Sequence, residues 1–197
     1  MHISDGVLSP GVLAAGTILA AGGIAVGLKK ITYREMPSLA VMTSAFFVVS
    51  LIHIPVGPAG AHLILNGLAG IILGWGIFPA LFTGLTLQAL IFGHGGITAL
   101  GVNTLNMALP GLLCWKLFSL IKHKRAAGFV AGVLSVFVSV VLLYISLSLS
   151  RQSFIPAARI IAAGHLPVAL LEGFITAAAV SFIIKTSPEM IMKNNAY

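Results

Sequence analysis

Long apolar runs separated by short polar joints divide this sequence from end to end. A membrane-spanning helix needs roughly 20 mostly apolar residues. Against that length the pattern predicts seven transmembrane helices, at about residues 9–28, 37–54, 61–75, 77–93, 98–121, 127–150 and 165–185. The third and fourth are short, and Gly74-Trp75-Gly76-Ile77-Phe78-Pro79 joins them. That joint suits either a tight helical hairpin or a pair of tilted, partial spans. No polar stretch is long enough to fold as a soluble unit. Residues 1–197 therefore read as one all-α integral membrane domain.

Composition strengthens that reading. Hydrophobic residues make up 58% of the chain and charged ones 8%, with a mean hydropathy of +1.09. Soluble proteins carry about 25% charged residues, so this composition belongs to the membrane class. The net charge of +7 raises nucleic acid as a partner, but the charges are wrongly placed for it. Lys29, Lys30 and Arg34 follow the first span, and Lys116, Lys122, Lys124 and Arg125 close the fifth. Lys185 and Lys193 follow the seventh. Seven-span threading puts all of these on one side, with only Arg151 and Arg159 on the other. Short basic loops stay cytoplasmic. The carboxy end is thus expected in the cytoplasm and the amino end outside, in a lipid bilayer and without nucleic acid.

The same threading sorts the histidines. His2, His53, His62, His94 and His165 fall at the outer face, and His123 falls in a basic inner loop. The opening Met1-His2-Ile3-Ser4-Asp5-Gly6 contains no Lys or Arg, unlike the start of a cleavable signal, so it is expected to be retained. The Met1 amine and the amide and ring nitrogens of His2 are then spaced to chelate one ion through fused rings. A fourth nitrogen would complete a flat set that suits Ni(II) or Cu(II). The plainer alternative is an exposed histidine on a frayed terminus.

Other polar residues inside the apolar runs are candidates around such a site. His62, placed by the pattern at the opening of the third helix, is the candidate fourth nitrogen. It follows a rigid joint containing Pro55, Gly57, Pro58 and Gly60. His53 and Asn66 are candidates for support. Asn103 and Asn106 lie three apart on one helical face, and suit either an inserted loop or helix-to-helix bonding. Gln88 is expected to face the interior, and His94, among glycines, to be exposed. Glu172 lies within a predicted span, where a charge is costly and marks a functional hypothesis. It is expected to support the site, by orienting a histidine, pairing with Arg159 or bonding a neighbouring helix. The single cysteine, Cys114, reads as a buried structural thiol.

Absences narrow the function. There is no G-x-x-x-x-G-K-[ST] phosphate loop, no H-E-x-x-H and no recognisable nucleophile setting. The chain is therefore not expected to be an enzyme. Gly23-Ile24-Ala25-Val26-Gly27 and Gly70-Ile71-Ile72-Leu73-Gly74 have the spacing of close helix contacts. With Ala14, Ala15, Gly16, Ala20 and Ala21, the first helix suits either a partner membrane protein or packing within the bundle.

Three stretches together carry a family resemblance: Met1-His2-Ile3-Ser4-Asp5-Gly6, His62-Leu63-Ile64-Leu65-Asn66-Gly67, and the run from Gly95 to Met107. The chain resembles, along essentially its whole length, the CbiM/NikM family. These are metal-binding membrane subunits (S components) of energy-coupling-factor (ECF) transporters for cobalt and nickel. The resemblance implies seven helices with the amino-terminal loop inserted in the bundle. It implies metal ligands from the Met1 amine, the His2 backbone and ring, and His62. Co(II) or Ni(II) would be the transported substrate, with no cofactor. The implied partners are a transmembrane coupling (T) subunit and cytoplasmic ATP-binding cassette subunits, with room for a small accessory membrane subunit. Ser4 departs from the family, where many members have Pro, and lies beside the ligands. The rival expectation is a stand-alone channel or proton-coupled carrier, with Glu172 as its proton site and the glycine-rich loops as its gate.

Overall fold

The computed structural model describes residues 2–56 and 59–192, with side chains described except at 53–61 and 192. Among the described residues the chain is helical apart from one short hairpin. The helices are α1 Pro10–Lys30, α2 Met36–Val49, α3 Asn66–Leu73, α4 Ile77–Phe92, α5 Leu100–Leu120, α6 Lys124–Ser150, α7 Ile155–Thr186 and the short α8 Glu189–Met192. The hairpin pairs β1, His53–Val56, with β2, Ala59–His62, in antiparallel register. It is a local exception within the expected all-α fold. The residues assigned to the end of the second span and the start of the third carry Pro and Gly, which favour turn and extended backbone over helix.

Helix limits follow local chemistry. Pro10 opens α1 at a position where its missing N–H costs nothing. Lys29 and Lys30 sit in its last turn, where cations complement the helix dipole. Glu35 Oε2 accepts from both the N–H and the hydroxyl of Thr32 at 2.8 Å, which stops the chain and starts α2.

Among the described residues, four stretches are long and apolar enough to cross a bilayer: Pro10–Lys30, Asn66–Phe92, Lys124–Ser150 and Gln152–Thr186. The second is folded back on itself. Asn66 bonds the Met107 carbonyl, and Gly74 lies against Trp115, so α3 runs alongside α5 in the same direction. At the start of α4, Phe78 and Pro79 meet Gly23 and Gly27 of α1. At its far end Phe92 stacks near His94, and His94 near His2. The reversal falls at Gly74, whose φ of +52° is in the region that favours glycine. Both expectations for this joint are met in part: the two helices form a tight hairpin, and its first arm is only a partial span. With 8 residues, α3 rises about 12 Å, less than half the roughly 30 Å hydrocarbon core. It is a partial helix. The seventh helix, by contrast, begins at Ile155, so His165 lies a third of the way along it and not at its start.

Small residues bring the elements together. Gly70 meets the backbone of Gly111, and Gly132 meets that of Glu172 and Gly173. Gly16, Ala20, Gly23 and Gly27 turn one stripe of α1 into the bundle, while Ala14, Ala15 and Ala21 stay exposed. Large apolar side chains such as Ile18, Leu19, Phe174 and Phe182 point outward. Continuous exposed apolar surface of this kind fits lipid contact.

Candidate metal centre

The amino-terminal segment is built into the end of the bundle. Ile3 and Leu8 are buried in the main apolar core. Asn103 on α5 clamps the Ile3 backbone from both sides: Ile3 N–H donates to Oδ1, and Nδ2 donates to the Ile3 carbonyl, each at 3.0 Å. Asn103 Nδ2 also reaches the Gly95 carbonyl at 3.2 Å. Asp5 docks on the turn that leads into α5, taking the Ile97 N–H at 3.1 Å, the Thr98 N–H at 2.9 Å and the Thr98 hydroxyl. The Thr98 hydroxyl, helped by nearby backbone N–H groups, holds the Asp5 carboxyl below its ordinary range against a smaller desolvation effect.

Two glycines make room for this docking. A side chain at Gly95 would come within 3.2 Å of His2, and one at Gly96 would collide with the Asp5 carboxylate. Both residues have positive φ, +84° and +72°. Gly96→Ala therefore meets a steric and a conformational penalty at once, the latter alone about 1–2 kcal/mol. We expect it to release the amino-terminal loop, seen as faster amide exchange at Ile3 and Asp5 with the helical core still protected.

His2 and His62 stack face to face, with ring centroids 4.7 Å apart and planes 20° apart. His94 stacks on the same His2 ring at 6.4 Å. His62 closes β2 and does not open the third helix, which starts four residues later at Asn66. The His62 Nδ1 lies 2.9 Å from the Leu63 carbonyl. A carbonyl only accepts, so Nδ1 carries the hydrogen and Nε2 the lone pair. That is the tautomer a metal-binding imidazole needs, held by an outer hydrogen bond.

The segment after His62 is fixed from α7. Leu65 has φ +53°, a strained left-handed conformation for a leucine. Glu172 Oε1 accepts the N–H groups of both Ile64 and Leu65, the latter at 2.9 Å. Its carboxylate thus holds the corner between β2 and α3. Arg159 is exposed and lies 13 residues before Glu172, about 20 Å along the helix, so no ion pair joins them.

The remaining candidates divide between site and scaffold. Met1 and the side chain of His53 lie outside the described residues, though His53 pairs with His62 in the hairpin register. Asn66 is buried, and its Nδ2 donates to the Met107 carbonyl and the Ser139 hydroxyl. Asn106 reaches Ser146 on α6 at 3.4 Å, a helix-to-helix contact. Gln88 is interior as expected and bonds Ser50. His94 is exposed on its outer side, and Cys114 is buried against the Ala131 carbonyl. Asp5, Thr98 and Gly96 were not singled out from the sequence. The one available signal was that Asp5 is the only carboxylate in the opening motif. Among the described residues, no three His, Cys, Asp or Glu side chains converge on one point.

Comparison with known proteins places the chain in a family. A family described as the cobalt uptake substrate-specific transmembrane region matches residues 2–190. A Haemophilus influenzae protein named for metal transport is 37% identical over the full length of both chains. The cobalt transport protein CbiM of Sorangium cellulosum is 31% identical, covering 97% of this chain and 94% of that one. The crystal structure of a transition metal transporter superposes with a TM-score of 0.84 at 26% identity, covering 100% of this chain and 98% of that one. A truncated transition metal transporter gives 0.82 at 25% identity, over 94% and 99%. The chain is a membrane transport component and not a catalyst, and it belongs to the cobalt uptake substrate-specific transmembrane family.

Proposed function

We propose that this chain captures Co(II) or Ni(II) at the end of the bundle where the amino-terminal loop is docked. The observation that carries this reading is the His2–His62 stack, held from one side by Asn103 and Asp5 and from the other by Glu172. Two imidazoles are too few to hold a divalent ion. The missing nitrogens are the Met1 amine and the His2 amide, which reach one ion through fused chelate rings. A flat four-nitrogen set of this kind favours Ni(II) slightly over Co(II).

The wider assembly is inferred from the basic loops and the missing phosphate loop. The amino end faces outward and the Lys-rich end faces the cytoplasm of a prokaryotic plasma membrane. A coupling membrane subunit and cytoplasmic ATPases of an energy-coupling-factor complex supply the energy. The chain acts as a single substrate-binding unit. The carrier alternative is weaker because Glu172 is already engaged by two backbone N–H groups.

The test is pH. Binding must displace a proton from the amine, with an ordinary pKa near 8, and one from the His2 amide. Each displaced proton contributes a factor of about ten per pH unit. Nickel titrations at pH 8 and pH 6 are expected to differ by roughly 1,000-fold or more, weaker at the lower pH. Equal affinities would exclude the backbone nitrogens. Asp5 does not contribute to this fall. Its lowered pKa keeps the loop anchored above the carboxylate range, and the anchor is lost only as pH drops through that lowered value.

A further inference from the structure

At the end of the bundle opposite the histidines, α1, α2, the α3–α4 joint, α5 and α8 enclose a cavity of about 430 Å³. That volume falls within the usual range of small-molecule sites, about 300–1,000 Å³. The cavity plays no part in the metal centre. The 16 residues of α4, about 24 Å of helix, separate the joint from Phe92 and the His94 ring beside it.

Three kinds of chemistry line this space. Lys30 and Arg34 supply positive charge, Glu35 and Glu189 negative charge, and Trp75 and Trp115 aromatic surface. Lys30 Nζ lies 5.8 Å from the centre of the Trp75 ring, so one aromatic face here already receives a cation. Glu35 is fixed by the N–H and hydroxyl of Thr32. Gly74 leaves room for the Trp115 indole, since a Cβ there would stand 3.3 Å from the ring. Among the described residues, no ion pair joins Lys30 or Arg34 to Glu35 or Glu189. Four charges thus surround one cavity without neutralising one another. A simple anion entering it meets two carboxylates, and a simple cation meets two basic side chains. A ligand that carries both signs a few ångströms apart satisfies both pairs.

Depth narrows the class of ligand. The 21 residues of α1 rise about 31 Å, close to the roughly 30 Å of hydrocarbon core. Lys30 is the last of them, so the cavity lies at headgroup level, where tryptophan is enriched. We propose that it binds the phosphoethanolamine headgroup of a membrane phospholipid. The phosphate lies against Lys30 and Arg34, and the ammonium lies between Glu189 and the tryptophan faces. A headgroup held this way links the end of α1, the hairpin joint and α8 through one molecule. The proposal stands whether or not the metal reading does.

The test uses full-length protein in detergent and native mass spectrometry. The probes are a short-chain phosphatidylethanolamine, the matching phosphatidylglycerol and free phosphoethanolamine. We expect one saturable phosphatidylethanolamine per chain, bound more tightly than phosphatidylglycerol, which lacks the ammonium. Free phosphoethanolamine, without acyl chains to hold it at the site, should not saturate over the same range. Replacing both cations together (Lys30→Gln with Arg34→Gln) should weaken both lipids about 30-fold. Glu189→Gln should weaken phosphatidylethanolamine alone, by about fivefold, and so reduce the preference between the lipids. Both variants should melt like the native protein without lipid, and bound phosphatidylethanolamine should raise the melting temperature of the native protein. Equal affinity for the two lipids, or native affinity in both variants, overturns the proposal. Free phosphoethanolamine that binds as tightly as the lipid overturns the membrane source. A co-purified protein chain that the lipid does not displace from this face overturns the proposal as well.

Discussion

Acetylating the Met1 amine is expected to abolish stoichiometric metal binding. The modification leaves every side chain in place and removes only the lone pair of the terminal nitrogen. It opens the fused rings that let one residue pair deliver three nitrogens to one ion. What then remains near His62 is an imidazole pair, since no three ligating side chains converge among the described residues. Native protein should hold about one Ni or Co per chain, as expected of one four-nitrogen site, and the acetylated protein none above background. Metal analysis of the detergent-purified proteins decides it. Equal metal in both would move the site to the histidines alone, and metal in neither would bring the carrier reading forward.

The second large effect is expected at Glu172, as a loss of stability and of metal together. Its carboxylate is fully buried and accepts the N–H groups of Ile64 and Leu65. Glu172→Ala leaves both donors without a partner inside the bundle, at about 1–3 kcal/mol each. The corner they hold is strained at Leu65, so it has reason to relax when released. His62 lies two residues before Ile64, and its ring position depends on that corner. Thermal unfolding should shift down by many degrees, and Ni(II) affinity should fall with it. Glu172→Gln retains an acceptor oxygen and should keep most of both. A proton carrier would behave otherwise, with Glu172→Gln folded but inactive. Native melting and native affinity in Glu172→Ala would show that the corner holds itself.

The two expectations address different parts of the site. Acetylation tests the chemistry of the first two residues, which was legible from six letters of sequence. Glu172→Ala tests a contact between residues 107 positions apart, which no local pattern announces. The same contrast runs through the asparagines. Asn103 and Asn106 look alike by spacing, yet Asn103 clamps Ile3 and Asn106 bonds Ser146. Helical periodicity places both on one face, but a three-residue offset turns them far enough apart to meet different neighbours.

By itself the sequence determined the membrane class, most of the long helices and the basic loops. Those properties are local: hydropathy over a window and charge in a loop. Only the tertiary structure decided that α3 and α4 form a hairpin, that His62 ends a strand, and that Asp5 and Glu172 hold the two sides of the site. The reason is that a buried polar group must find a partner, and in an apolar bundle that partner comes from whichever element packs against it. That pairing is set by how Gly70 meets Gly111 and how Gly132 meets Glu172 and Gly173, contacts between backbones that a hydropathy pattern does not encode.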